Sequence, residues 1–213
     1  MTRTVLFLLI GILLFFTGCS KNQESRDSHQ PHITVTAVDP QSVPEITALG
    51  DSVAKTLLKT LKGELIQTIK QSGPVEAIKV CNTKALPLTR QVAQQFGVHI
   101  DVKRTSFKIR NPKNKPDSLE VQALRYFDNA LKSGKPLPAH FVQKIEEDGQ
   151  TRFRYYMPLR VASLCVNCHG DPNHMPEPLK EALHRLYPND RAVGYKAGDF
   201  RGVIRVEISH KNS

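Results

Sequence analysis

The chain has 213 residues, 39% of them hydrophobic and 23% charged, and a formal net charge of +10. That is enough for one domain with a real core and a tail, in the proportions of an ordinary soluble globular protein rather than a disordered one. The basic residues are scattered instead of gathered on one element, so no nucleic acid is expected as a partner. They suit a solvated surface near anionic lipid head groups.

Arg3 supplies a short positive start, and Val5–Phe16 is an unbroken apolar run plus Gly11. The run has the length of a signal-peptide core and is too short to span a bilayer. Phe16-Thr17-Gly18-Cys19 matches a bacterial lipobox, with Phe where Leu is usual. Residues 1–18 are therefore expected to be a lipoprotein signal and Cys19 the lipidated residue, holding the protein on a membrane and facing the periplasm. The alternatives are a plain secretory signal or an uncleaved anchor. Ser20 after the cysteine favours the outer membrane. Residues 19–44 are polar with scattered proline and read as a flexible tether, in which His29 and His32 are tail residues.

From Glu45, Ile46, Leu49, Val53, Leu57, Leu61, Leu65 and Ile69 recur at helical spacing, predicting a helix of about 25 residues that ends near Gly73-Pro74. It packs on its own domain or on a second copy, so a homodimer stays open. A second helix is predicted over Val75–Phe96, closed by Gly97, with Pro87 breaking it near Thr83. Val98–Ile109 alternates as a strand, and residues 110–117 form a loop. Asp117 or Ser118 caps a third helix through Lys132. Strands are predicted over Phe141–Glu146 and Arg152–Leu159, joined across Asp148-Gly149. A short helix over Glu177–Leu186 and a strand over Gly202–Ser209 complete an α+β domain spanning residues 45–213: N-terminal helices, then an antiparallel sheet.

The chemistry lies in Cys165-Val166-Asn167-Cys168-His169. This is the C-x-x-C-H pattern of covalent haem c attachment: two thiols add across the vinyl groups and the histidine takes one axial position on iron. Such attachment takes place outside the bacterial inner membrane, in agreement with the signal. Of four cysteines, Cys19 is assigned to lipid and Cys165 and Cys168 to haem, which leaves Cys81 alone in an oxidising compartment. Cys81 is a small buried hydrophobe, an intermolecular partner or an axial thiolate; spacing leaves the three open. His174 and Met175 follow His169 so closely that a chain of roughly 18 to 22 Å must round the porphyrin edge, which makes both poor ligands. His140, His99, His184 and Met157 are sterically free but unsupported.

Further segments carry a resemblance. They are Cys81-Asn82 with Ala85, Arg104-Thr105-Ser106 before Arg110-Asn111-Pro112 with Asn114 and Pro116, Phe153-Arg154-Tyr155 with Pro158, and Tyr187-Pro188-Asn189-Asp190-Arg191-Ala192-Val193-Gly194-Tyr195 with Gly198-Asp199. Over about residues 50–210 the chain resembles the Tll-like c-type haem-binding domain family, long catalogued as a domain of unknown function. Phe16, Lys113 and Lys115 depart from it. The resemblance implies a PAS-like fold, one covalent haem and a histidine–cysteine axial pair, here His169 and Cys81. Arg104, Arg110 and Arg191 are candidate partners of the haem propionates, against a plain reading as surface or loop arginines. Tyr187, Tyr195 and Phe200 pack on the porphyrin or on the core.

An anionic thiolate favours ferric iron, so a low potential is expected. On reduction a protonated Cys81 would leave and open a site for a small diatomic ligand. The expected function is a redox or gas sensor acting through a partner protein; the alternative is a small mono-haem electron-transfer cytochrome. A filled sixth position argues against an enzyme.

Overall fold

The computed structural model describes residues 33–36 and 38–209. The signal segment, Cys19, His29 and His32 lie outside them. Among the described residues no helix is long and apolar enough to cross a membrane.

Five strands form one antiparallel sheet in the order β1-β3-β4-β5-β2. They are β1 (Ile33–Thr36), β2 (Ile100–Thr105), β3 (Phe141–Glu147), β4 (Gln150–Arg160) and β5 (Phe200–Ser209). Helices α1 (Val43–Thr83) and α2 (Ala85–Phe96) cover one face; α3 (Ser118–Lys132) packs on the other. Two shorter helices, α4 (Ser163–His169) and α5 (Glu177–Leu186), fill the crossover from β4 to β5. The expected α+β class with an antiparallel sheet is the observed one.

Strand alternation sorts the two faces. Phe153, Tyr155, Ile204, Val206 and Ile208 point to one side and bury against Ile46, Val53, Ala54 and Leu57 of α1 and Val92 of α2. Tyr156 and Val203 point to the other and bury against Ala123, Leu124 and Phe127 of α3. Gly50 lets α1 approach closely, since a Cβ there would stand 2.2 Å from the Tyr155 ring. The Tyr155 hydroxyl donates to Asp51 on the same helix.

The α3 side of the sheet also carries charge, held in ion pairs. Glu120 is fully buried and meets Lys103 at 2.6 Å and Arg205 at 3.1 Å. Arg154 lies 2.5 Å from Glu207 and 2.8 Å from Asp117. Burying such groups is tolerable only with this degree of mutual satisfaction.

The structure corrects two expectations. Residues 33–36 fall within the predicted tether but form edge strand β1, with Val35 opposite Ile145 of β3. Ile-Thr-Val-Thr is β-branched throughout and alternates, as a short strand should; its brevity beside a polar stretch hid it. The folded domain thus begins before residue 45, and α1 itself starts at Val43. The predicted strand over Val98–Ile109 is shorter, because its ladder with β5 runs only from Ile100–Ile208 to Thr105–Val203.

Helix breaks fall where chain chemistry puts them. Gly73 takes φ 80°, ψ 175° inside α1; the positive φ suits glycine, and the extended ψ suits a residue before proline. After that kink the chain doubles back, and Lys84 pairs with Glu64 at 2.6 Å. The break between α1 and α2 is at Lys84, one residue from the carbonyl that Pro87 cannot serve.

Candidate functional site

A cavity of about 480 Å³ opens between both arms of α1, the start of α2, the ends of β2, β4 and β5, and α4. That volume is within the range of roughly 300–1,000 Å³ typical of cofactor sites. Leu58, Leu61, Leu65, Val80, Leu88 and Leu159 make its wall largely apolar. Cys81, Cys165 and His169 all reach it.

Helix α4 presents the reactive side chains. Cys165 and Cys168 stand three positions apart and so share a face; His169 closes the helix. Cys165 lines the cavity, while Cys168 packs against a smaller core of Ile78, Met175, Leu179, Leu183 and Tyr187, formed with α5. Burial pushes the Cys168 thiol up, with partial relief from Arg110.

His169 is held from behind. Its Nδ1 lies 2.7 Å from the Ala192 carbonyl, which assigns the ring proton to Nδ1 and leaves Nε2 with a free lone pair. Burial lowers its pKa to about 3, helped by Arg110 and Arg201. Imidazole is therefore neutral and able to ligate at neutral pH. The 192–195 segment clamps the helix end as well: Tyr195 N–H donates to the His169 carbonyl at 2.9 Å and Gly194 N–H to the Gly170 carbonyl at 2.8 Å.

Cys81 comes from the second arm of α1, between the Gly73 kink and the Lys84 break. Burial pushes its thiol up, and Arg104 and Arg110 act in the opposite direction. Of the other residues weighed as ligands, only Met157 lines the cavity. Met175 is buried in the α5 core, His174 is exposed beside Asp171, and His140 stacks on Tyr155. His99 and His184 do not line the cavity either.

The three candidate arginines part company. Arg104 lines the cavity, and no acidic side chain pairs with it among the described residues; burial lowers its pKa. Arg110 also lines the cavity, but its guanidinium is held by Asp190 at 2.9 Å, the Cys168 carbonyl at 2.5 Å and the Ala192 carbonyl at 3.3 Å. Arg191 is exposed and does not line the cavity, because Asp190 and Ala192 on either side take the inward positions. Arg201, which no motif singled out, takes the third place at the wall. It donates to Ser106 Oγ at 2.6 Å and lies over the Tyr195 ring at 5.3 Å. Its position two residues into β5 became informative only once β5 was seen beside β2. Tyr187 lines the cavity, whereas Phe200 packs on Phe127.

Among the described residues no group of three or more His, Cys, Asp or Glu side chains is placed to hold a bare metal ion. A porphyrin brings four nitrogen ligands of its own, so one or two axial donors suffice. An apolar cavity with the Cys165 thiol at its wall, Cys168 on the same helical turn beside it, a neutral histidine, the Cys81 thiol and cationic charge fits a haem.

A family model described as Tll0287-like matches residues 21–209. Among solved structures, the crystal structure of the cyanobacterial haem protein Tll0287 is similar, with 24% sequence identity and a TM-score of 0.52. The match covers 83% of this chain and 99% of that one. At that identity the likeness establishes a shared fold. No curated protein matches significantly.

Proposed function

The chain belongs to the Tll0287-like family, and from that premise we propose that it binds one haem c and acts as a redox or small-ligand sensor. The observation that carries this reading is the convergence of Cys81, from α1, with Cys165 and His169 of the distant helix α4 on one apolar cavity. That the similar solved structure is of a haem protein supports it.

Cys165 and Cys168 would hold the group through thioether bonds, and His169 would ligate through Nε2. When bound, a haem would supply an iron able to exchange one electron and to take up a small ligand. The protein's own part is to orient and to exclude water. Ala192 fixes the imidazole tautomer, and the leucines of α1 and α2 give the cavity an apolar wall. Arg104 and Arg201 offer charge to the propionate carboxylates. Cys81 would be the second protein ligand to the haem iron. Its Sγ can hold a proton when it is not ligating, since burial favours the neutral thiol. The Gly73 kink and the Lys84 break give its short helical arm freedom to respond.

An envelope location, with the lipid anchor at Cys19, belongs to the same proposal. It rests on the apolar run and the lipobox, and fractionation of Cys19→Ser checks it.

Reductive titration followed by carbon monoxide tests the sensing role. Rapid binding with loss of the sixth ligand is expected; unchanged six-coordination through reduction would assign an electron carrier instead. Low-spin ferric EPR of wild type and Cys81→Ser tests the thiol, and identical spectra would remove Cys81 from the iron.

A further inference from the structure

Behind His169 stands a closed hydrogen-bonded unit. Asp190 Oδ1 accepts from Ala192 N–H at 2.8 Å, and Asp190 Oδ2 accepts from Arg110 Nε at 2.9 Å. Arg110 Nη2 donates to the Ala192 carbonyl at 3.3 Å, the same oxygen that receives His169 Nδ1 at 2.7 Å. The guanidinium also donates to the Cys168 carbonyl at 2.5 Å. Both charged side chains are only 10% exposed. The oxygen that orients the imidazole therefore belongs to a residue, Ala192, whose N–H is pinned by one member of a buried ion pair and whose carbonyl is shared with the other.

We infer that Asp190 and Arg110 are positioning residues for His169, fixing the ring and setting how strongly it donates to iron; this rests on the haem reading above. Partners behind a ligating histidine orient its ring and raise its basicity. Here the backbone carbonyl is the direct partner, and two side chains tune it in opposite senses. Arg110 competes for the carbonyl's electron density and lessens its pull on the Nδ1 proton. Asp190 neutralises Arg110 and holds the peptide in place. Arg110 is thereby committed on three sides, which leaves Arg104 and Arg201 to meet the carboxylates.

The test compares the haem-loaded full chain with Asp190→Asn, Arg110→Gln and the double variant. Removing the carboxylate leaves Arg110 uncompensated and is expected to raise the midpoint potential; removing the guanidinium is expected to lower it. Each shift should be about 60 mV, a tenfold change in the relative affinity for the two iron states in a one-electron couple. The double variant should return close to wild type, and the ferric EPR envelope should change in each single variant as the ring reorients. Wild-type potentials and spectra, with only a lower melting temperature, would overturn the inference and leave the pair a structural brace. If a single variant fails to fold, the double variant and Asp190→Glu carry the same comparison. Failure of wild type to give a covalent haem spectrum in alkaline pyridine would instead overturn the haem reading itself.

Discussion

Cys165 and Cys168 share one turn of α4 yet face different surroundings. The first borders the cavity, and the second is wedged into the core with α5. Attachment would require both, whereas axial ligation would require neither. Replacing both with serine should abolish covalent haem on a haem-stained denaturing gel, while Cys81→Ser should keep it at wild-type intensity. Loss of stain in Cys81→Ser would make that thiol part of attachment. The residues proposed for attachment were legible because that chemistry needs a fixed local spacing. Arg201 was not, because its place at the cavity wall depends on β5 lying beside β2, which no local pattern expresses. Arg191 misled for the same reason: within a run of adjacent polar residues, only the backbone path decides which side chain turns inward.

At the level of elements, α3 was the most readable. Asp117 caps it, accepting from Glu120 N–H at 2.7 Å, while the Glu120 carboxylate accepts from Asp117 N–H at 2.9 Å. Asp117→Ala should cost about 1–2 kcal/mol, the upper part of the range for an N-cap, since Arg154 also loses a partner. Burial alone would raise the Asp117 pKa, but the Glu120 amide and Arg154 together hold it below the ordinary carboxylate value. A depressed folded pKa gives stability that is present above the unfolded value, about 3.9, and lost as pH falls through the folded one. Urea titrations should therefore separate wild type from variant at pH 7 and bring them together towards pH 2. A gap that persists undiminished in acid would mean that the capping charge is not its source. Strand β1 was the least readable element. Four residues carry too little pattern to stand out, and their strand identity comes from pairing with β3 more than a hundred positions away. Gly73 was readable as a helix end, but not as a kink that folds α1 back and brings Cys81 over the cavity.

Across the whole domain, the cavity lies where the helical layer leaves the sheet, walled by α1 and α2 on one side and by strand ends and α4 on the other. A group filling it would touch both layers, so occupancy should act as a brace on the entire fold. Anything that binds only the native state stabilises it, by about 2.7 kcal/mol when present at a hundred times its dissociation constant. Covalent attachment keeps a group in place at any protein concentration, so the gain should not fade on dilution. For a domain of this size each kcal/mol moves the melting temperature by roughly 2–4 °C. The haem-loaded chain should then melt at least about 5 °C above the Cys165→Ser/Cys168→Ser form, with the same difference at high and low protein concentration. Amide exchange should slow most in residues 74–83, the arm that carries Cys81 across the cavity between two helix breaks. Equal melting temperatures, or protection confined to α4, would mean that occupancy is felt only where the group is tethered. The Cys81 arm would then have no part in reporting the state of the site.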